Sequence, residues 1–213
     1  MKLNNKPLTD SPGLNIKQKR SKKTYDALIK SGFRLLKKRE WASITIAELS
    51  RAAGYSVGAF YTRFRSKDEF FDALVVHQLK ARKADVERLY AISNDDDFID
   101  ELIKDIVHYH WKNRKYWRAA LLRGMRDSEF WNPIRLSGHS VASKTIARLS
   151  EQAGRALTDP EEINVRFAFQ ITFGTINNTV INNPGPIFMN QKLFVEELTR
   201  AFRLVAGCGD FKK

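Results

Sequence analysis

Apolar residues recur at spacings of three and four along most of the chain, which is the period of amphipathic α-helices. In the N-terminal third, this pattern predicts one helix over about residues 24–39 and two shorter helices directly after it. No segment shows the sustained alternation of apolar and polar residues that is typical of β-strands. The pattern therefore predicts an all-α fold.

Six further helices are predicted, over about residues 67–90, 98–111, 115–125, 132–152, 159–181 and 191–205. Two of them begin at Asn132-Pro133 and Asp159-Pro160, where a capping residue precedes a proline, which is a frequent helix start. We expect three parts in the chain: an arm (1–20), a three-helix domain (21–66) and a helical domain (67–213).

The two short helices carry strong boundary signals. Thr45 and Glu48 fit a capping box, in which the hydroxyl accepts from the backbone N–H of Glu48 and the carboxylate reaches back to Thr45. Gly54 stands where a helix end needs a left-handed residue, and Ser56 is a favourable N-cap for the next helix. A helix, a four-residue turn and a second helix form the sequence signature of a helix-turn-helix.

The second of these helices, predicted over 57–64, has two unlike faces. At about 100° per residue, Phe60 and Phe64 point to the same side and predict the buried face. The remaining positions are small at first and polar later: Val57, Gly58, Ala59, Tyr61, Thr62 and Arg63. Small residues let the backbone approach base edges, and the later polar groups can reach phosphates. This favours a helix that reads the DNA major groove; the alternative is an ordinary amphipathic helix pair in another all-α core.

The charge distribution agrees with DNA binding. Residues 1–66 contain 15 Lys and Arg against 4 Asp and Glu, whereas residues 67–213 contain 22 against 20. A basic domain beside a nearly neutral one is typical of a module that binds a polyanion. A membrane surface is the other polyanion to consider, but no apolar stretch of the sequence is long enough to span a bilayer.

Residues 1–20 contain two prolines and a glycine and show no helical period, which predicts a flexible arm. Around its end the chain is basic, and Arg20, Lys22 and Lys23 are candidate DNA contacts. Such an arm can follow the minor groove or the phosphates. The alternative is a solvated tail that aids solubility.

The segment 45–70 resembles the TetR/AcrR family of one-component bacterial transcriptional regulators. The resemblance rests on Thr45, Leu49, Ser50, Ala53, Gly54, Tyr55, Ser56, Gly58, Ala59, Phe60, Tyr61, Phe64, Ser66, Lys67 and Phe70. It implies an N-terminal three-helix helix-turn-helix domain for DNA binding, followed by a C-terminal helical domain for ligand binding and dimerisation.

The resemblance also implies roles for single residues. Thr45, Tyr61 and Lys67 would hold the DNA backbone. The residues that would lie at or near the bases are Val57, Gly58, Thr62 and Arg63. Ala59 stands where many members have threonine, and Arg63 replaces the usual histidine or tyrosine, which adds a cation for a phosphate or a guanine. The full candidate set for DNA binding is Thr45, Ser56, Val57, Gly58, Ala59, Tyr61, Thr62, Arg63, Lys67, Arg20, Lys22 and Lys23.

In the family, the last two long helices form a dimer interface, here 161–181 and 191–205. The apolar positions of each helix cover more than one face, so each helix can pack against its own core and against a partner subunit. Gly174 allows a neighbouring helix to approach closely. The alternative is a purely intramolecular core. Two readers related by a twofold axis would reach half-sites about 34–36 Å apart in a palindromic operator.

The resemblance also places a ligand pocket in the second domain. Our candidates are the bulky residues Tyr109, Trp111, Trp117, Met125, Trp131, Phe167 and Phe173. Such side chains suit flat or lipophilic molecules, although an aromatic stripe is also ordinary core. Arg118, Arg123 and Arg126 are candidate partners of a ligand carboxylate or phosphate; the alternative is a set of exposed cations on a helix.

The sequence carries no motif for metal binding or catalysis. Of the histidines, His108 and His110 would point about 200° apart on a helix and would not share a metal. C-x-x-C, H-E-x-x-H and phosphate-cradling glycine loops are absent. We therefore expect no enzyme, no metal and no cofactor. Cys208, the single cysteine, fits a reducing compartment; it is either a redox sensor or an inert thiol.

Together these patterns predict a cytoplasmic, nucleoid-associated bacterial regulator that is not bound to a membrane. We expect a homodimeric repressor that a small apolar or aromatic molecule releases from double-stranded operator DNA. The alternative is an architectural protein that binds DNA without an effector. That alternative predicts similar affinity for unrelated sequences and a steep dependence on salt.

Overall fold

The computed structural model describes residues 12–92 and 96–208. Within these ranges the chain forms α-helices and no strand. The helices are α1 Pro12–Leu36, α2 Ile46–Ala53, α3 Val57–Tyr61, α4 Lys67–Ile92, α5 Phe98–Lys112, α6 Arg114–Gly124, α7 Asn132–Ala153, α8 Asp159–Asn182 and α9 Lys192–Ala206. Single turns of 3₁₀-helix lie at Trp41–Ser43 and Glu129–Trp131. The predicted all-α fold is confirmed.

The six helices from α4 to α9 begin and end close to their predicted positions. At the start of α8, the backbone N–H of Thr158 donates to Oε2 of Glu161 at 2.7 Å, and Pro160 lies in the first turn. Pro133 occupies the corresponding place in α7. Both starts follow from the same physics, because a first-turn residue needs no backbone N–H inside the helix.

The prediction for the first helix was wrong at its start. α1 begins at Pro12, so residues 12–20, predicted as flexible arm, are helical. Proline is tolerated in a first helical turn, and between Gly13 and Ser31 the sequence contains no further proline or glycine. Residues 1–11 of the predicted arm lie outside the described residues.

The reading helix was predicted over 57–64, but in the structure α3 ends at Tyr61. The hydroxyl of Thr62 lies 3.0 Å from the carbonyl oxygens of Gly58 and of Ala59, where it competes with the next helical N–H groups. The backbone still closes one more turn, since the N–H of Phe64 donates to the carbonyl of Phe60 at 3.0 Å.

The chain divides into two compact units, Met1–Leu74 and Val75–Lys213. The division falls within α4, so the first two turns of this helix belong to the first unit and the remainder to the second. The sequence led us to place the boundary between residues 66 and 67.

The first unit is built around aromatic rings. Phe60 and Phe70 are fully buried, and Phe64 is nearly so, as predicted for the inner face of the reading helix. The ring centroid of Phe70 lies 5.4 Å from that of Phe60 and 4.9 Å from that of Phe64. Trp41, in the link between α1 and α2, packs against Phe71 with the ring centroids 5.0 Å apart. These rings join α3 to the first turns of α4.

Polar contacts fix α1 against α2. The buried hydroxyl of Ser31 lies 2.8 Å from the carbonyl oxygen of Leu28 and 3.0 Å from that of Leu49 in α2. Arg39, three residues beyond the end of α1, pairs with Glu48 of α2 at 2.5 Å. A buried polar group that is satisfied in this way adds directional specificity to an otherwise apolar contact.

The second unit has its own core, formed chiefly by α5, α7, α8 and α9. Phe169 of α8 and Phe202 of α9 meet edge to face with their centroids 4.9 Å apart. At the end of α8, the guanidinium of Arg118 donates to the carbonyl of Ile181 at 2.7 Å. This bond satisfies a helix-end carbonyl that has no partner within its own helix.

Gly32 of α1 is a point of close packing that the sequence pattern did not reveal. A Cβ at this position would lie 3.0 Å from Cδ2 of Leu74 and 3.0 Å from the ring of Phe70, both fully buried. We expect Gly32→Ala to lower the free energy of unfolding by about 1–3 kcal/mol through overpacking. Urea unfolding of the full chain measures the change.

Gly58→Ala is the matched control, because a Cβ there would meet only Oγ of Ser56, at 3.7 Å. In an open helical position this change should raise stability by up to about 1 kcal/mol. If Gly32→Ala proved as stable as the parent protein, Phe70 and Leu74 would have to move aside freely, contrary to our reading of the core.

Candidate nucleic-acid interface and ligand cavity

The start of α2 has the predicted capping box. The backbone N–H of Glu48 donates to Oγ1 of Thr45 at 3.2 Å, and the backbone N–H of Thr45 donates to Oε2 of Glu48 at 2.8 Å. The hydrogen bond from Arg39, followed by those from Thr45, lowers the pKa of Glu48 to about 2. Thr45 itself is exposed, so its position remains open to a DNA phosphate.

The turn between α2 and α3 is fixed by Gly54, whose φ is 79°. This left-handed conformation suits glycine, because other residues place a Cβ too close to the following carbonyl. The N–H of Gly54 donates to the carbonyl of Arg51 at 3.0 Å, and the hydroxyl of Ser56 accepts from the N–H of Ala59 at 3.2 Å. These bonds set the angle at which α3 leaves the turn.

The outer face of α3 is open at its N-terminal end. Val57, Gly58, Tyr61 and Thr62 are exposed, with Tyr61 at 55%, and Ala59 is half-buried. A Cβ on Gly58 would have only one neighbour within 4 Å, the hydroxyl of Ser56. The surface in front of Gly58 is therefore open, and another molecule can approach the backbone of α3 there.

Thr62 and Arg63, the last two residues of this face, are less free to contact DNA than the sequence predicts. The hydroxyl of Thr62 bonds to carbonyls of its own helix, so towards DNA it offers chiefly an acceptor. Arg63 is half-buried, because it lies only about 60° around the helix from the buried Phe60. Its Nη1 lies 3.4 Å from the carbonyl of Thr62, and its buried Nε has no hydrogen-bond partner among the described residues.

Lys67 lies at the start of α4 and is held by Trp41. Its ammonium donates to the carbonyl of Trp41 at 2.7 Å and lies 4.6 Å from the centroid of the Trp41 ring. Desolvation lowers the pKa of Lys67. An ammonium has three N–H donors, and at a helix N-terminus it stands beside the positive end of the helix dipole. The combination favours an anion in front of α4.

The basic residues before this region are only partly described. Lys22 and Lys23 are exposed on α1. The backbone of Arg20 belongs to the same helix, and its side chain lies outside the described residues. Two of the three candidate cations therefore stand at a solvent-facing surface of the first unit.

The second unit contains a cavity of about 1260 Å³. Five of the seven bulky residues chosen from the sequence line it: Tyr109, Trp117, Trp131, Phe167 and Phe173. Trp111 and Met125 do not. Trp111 is turned by about 200° from Tyr109 on α5 and packs against the core, and Met125 is 79% exposed just after α6. The abundance of aromatic residues between 109 and 173 did not show which rings face the cavity and which pack elsewhere.

Polar groups lie at the wall of this cavity. His110 is buried, its Nδ1 lies 2.7 Å from the carbonyl oxygen of Ile106, and its ring stacks on Trp117 at 4.6 Å between centroids. Burial lowers the pKa of His110 to about 4, so the ring is neutral at neutral pH. Since a carbonyl accepts only from N–H, Nδ1 carries the proton and Nε2 is an acceptor. The buried indole N–H of Trp117 has no hydrogen-bond partner among the described residues.

Cations of the cavity wall were missed by the sequence reasoning. The lining contains Lys80, Arg82, Lys83, Arg135, Lys144 and Arg166, and none of its residues is Asp or Glu. A signal existed in α4, where Leu79, Arg82, Lys83 and Val86 share the spacing of one helix face.

The arginines that the sequence did suggest have other roles or places. Arg118 holds the end of α8, and Arg123 pairs with Asp127 at 3.0 Å. Arg126 is exposed, and none of the three lines the cavity.

In residues 12–92 and 96–208, no group of three or more His, Cys, Asp and Glu side chains is placed to hold a metal ion. In the same ranges no helix has the length and apolar character needed to cross a membrane. Burial raises the pKa of the Cys208 thiol to about 11, which opposes formation of the reactive thiolate.

Comparison with known sequences identifies the first unit. Residues 28–74 match the profile described as bacterial regulatory proteins of the tetR family. YwcC of Bacillus subtilis, described as an uncharacterized HTH-type transcriptional regulator, is 30% identical over 100 residues, which cover 44% of this chain and 45% of that protein. The match thus spans about half the length of this curated relative.

Solved structures share the fold over most of the chain. A TetR transcription regulator from Haloarcula marismortui superposes with a TM-score of 0.64 at 17% identity, over 88% of this chain and 96% of that chain. FadR of Bacillus subtilis, solved in complex with stearoyl-CoA, superposes with a TM-score of 0.63 at 15% identity, over 86% of this chain and 98% of that chain. Together with the capped helix-turn-helix, the profile match shows that residues 28–74 form the N-terminal domain of the tetR family of bacterial regulatory proteins, and most of the chain shares the fold of these solved regulators.

Proposed function

We propose that the chain acts as a homodimeric repressor, in which two copies of α3 read the half-sites of a palindromic operator and a ligand in the cavity of the second unit weakens binding. The observation that carries the proposal is the outer face of α3, which is exposed and small at its N-terminal end while its inner face is locked by Phe60 and Phe64. A rigidly held helix with an open, shallow face fits a major groove.

Each exposed position of α3 has a chemistry that suits DNA. Val57 offers an apolar side chain that can contact a thymine methyl group. The phenol of Tyr61 can donate to a phosphate, and the ammonium of Lys67 is fixed against Trp41 at the start of α4. Phosphate contacts of this kind set register and orientation, while the residues at the N-terminal end of α3 discriminate between bases.

The dimer proposal is supported by apolar residues that the described chain leaves uncovered on α8 and α9. Leu204 of α9 is 71% exposed, and Leu193 is exposed on the same helix; neither lines the cavity. On α8, Phe167 is 51% exposed and Ile163 is exposed as well, although both also border the cavity. Monomeric proteins rarely leave neighbouring apolar side chains uncovered, so we assign these helices to a twofold interface.

The effector proposal is supported by the position of the cavity beside α4. The cavity is lined by Leu79, Arg82 and Val86 of this helix, and the same helix begins at Lys67 in the DNA-binding unit. FadR, which shares the fold, was solved with stearoyl-CoA. A ligand that favours one position of α4 would change operator affinity by the difference in its binding to the two states.

Gly58→Ala tests the reading helix without disturbing the fold. The added methyl group has space in the free protein, but it would stand between the backbone of α3 and the base edges. We expect operator affinity to fall by about tenfold or more, equivalent to at least about 1.4 kcal/mol, while thermal stability holds or rises. Fluorescence anisotropy on an operator selected from genomic DNA measures the affinity.

The control for that experiment is Gly138→Ala, which adds the same methyl group to α7 at 3.8 Å from the ring of Phe173; because Gly138 lines the cavity, both variants are measured without any cavity ligand. It should leave operator affinity unchanged. Unaltered binding by Gly58→Ala would show that the N-terminal end of α3 does not approach the bases.

Leu204→Glu tests the dimer. A carboxylate in the centre of an apolar interface loses its hydration without gaining a partner, so we expect a monomer by analytical ultracentrifugation and weaker operator binding. Leu122→Glu on α6 also replaces an exposed leucine by glutamate, but outside α8 and α9. This control should remain dimeric. A dimer that persists in Leu204→Glu would remove α9 from the interface.

Release by an effector separates the repressor from the architectural alternative. Ligands found by thermal-shift screening should lower operator affinity by about 5–150-fold at saturation, the range expected for a coupling free energy of 1–3 kcal/mol. Binding to an unrelated duplex gives the background. Operator binding that stays specific but is indifferent to every cavity ligand would contradict the proposed regulation, and equal affinity for unrelated duplexes would favour the architectural role.

A further inference from the structure

The cavity of the second unit has a charge that the composition of that unit does not predict. Residues 67–213 carry nearly equal numbers of cations and anions, yet the lining holds six Lys and Arg side chains and no carboxylate. The lining is otherwise rich in apolar and aromatic side chains, among them Trp117, Trp131 and Phe173. The charge is therefore concentrated by the fold on the wall of an apolar space.

Half of these cations are already neutralised from outside the cavity. Arg82 pairs with Asp105, and its guanidinium carbon lies 4.3 Å from the ring centroid of Tyr109. Lys144 pairs with Glu87 at 3.2 Å. In the same way, Arg166 pairs with Glu162 at 3.5 Å.

The other three, here called the rim cations, are Lys80, Lys83 and Arg135. Arg135 donates to the neutral amide oxygen of Asn132 at 2.6 Å, which leaves its charge uncompensated. Within the described part of the chain, Lys80 and Lys83 have no ion-pair partner. All three line the cavity and are exposed, so they stand where it meets solvent.

The rim cations share one chemical requirement. Two ammonium groups and a guanidinium carry only N–H donors, so each needs an acceptor, and each binds that acceptor more strongly when it is negatively charged.

We propose that the ligand of this cavity is an amphiphilic anion, with an apolar body among the aromatic rings and a carboxylate or phosphate group at the rim cations. The inference rests on the proposed function only in taking the cavity as the effector site. The volume of about 1260 Å³ exceeds the roughly 300–1,000 Å³ of most small-molecule sites, which leaves room for a long or multi-ring body. Neutral and cationic lipophiles would gain nothing from the rim.

A series with one apolar chain and different head groups tests the charge preference. Decanoate, decyl phosphate, 1-decanol and decyltrimethylammonium are titrated into the DNA-free protein below their micellar concentrations, and binding is measured by calorimetry and by fluorescence of the cavity tryptophans. We expect at least one of the two anions to bind about tenfold or more tighter than the alcohol and the ammonium compound, a ratio of the size that one or two charge-assisted contacts provide. The stronger of the two anions identifies the head group.

The Lys80→Gln/Lys83→Gln variant should lose most of this preference while its affinity for 1-decanol stays the same. Lys104→Gln/Lys112→Gln is the matched control, because both lysines are exposed on α5 and neither lines the cavity. The control should keep the preference in full. A preference that persists in the rim variant would overturn the assignment of the head group to Lys80 and Lys83.

Equal binding of the alcohol or of the ammonium compound, or no binding of any probe, would overturn the anion preference itself. The proposed function fails by a different measurement. An anion that binds tightly but leaves operator affinity unchanged would contradict the repressor mechanism and leave the ligand class standing.

Discussion

The contact of Phe60 and Phe64 with Phe70 is the constraint on which the DNA-binding surface depends. α3 has only five residues, too few to be stable as an isolated helix. Its orientation is therefore set by the two rings that it buries against the start of α4. The turn at Gly54 and the cap at Ser56 determine where the helix begins, but the rings determine which face remains outside. The open face of Gly58, Tyr61 and Thr62 is a consequence of that burial.

Local chemistry made most helix boundaries predictable from the sequence. Capping boxes, prolines in first turns and left-handed glycines act within a few residues. Thr45, Pro160 and Gly54 therefore mark helix ends without reference to the rest of the fold. The two errors show where local signals compete. Pro12 was interpreted as a breaker although it begins α1, and the hydroxyl of Thr62 bonds to helix carbonyls and ends α3 early.

Side-chain environments beyond one helix were less predictable. Periodicity showed that Phe60 and Phe64 share a face, and five of seven aromatic or bulky candidates line the cavity. It did not show that Trp111 packs against the core or that Arg135 borders the cavity, because those positions depend on which neighbouring helix lies opposite. The packing of Gly32 against Phe70 and Leu74 likewise joins α1 to α4 across a long sequence separation. A single sequence carries no local signal for such contacts.

The contacts of α4 within the second unit bear on the proposed action of a cavity ligand on this helix. Beyond Leu74, only Val75 and Val86 are buried among its described apolar side chains. Much of its attachment is polar: Gln78 donates to the phenol of Tyr109 at 2.8 Å, Arg82 pairs with Asp105, and Glu87 pairs with Lys144. A close-packed interior resists displacement because every shift opens a void. Polar bridges can instead exchange one partner for another at small net cost. Under the proposed regulation, an anion at Lys80 and Lys83, on either side of Arg82 in the sequence of α4, would enter that exchange and so favour one position of the helix.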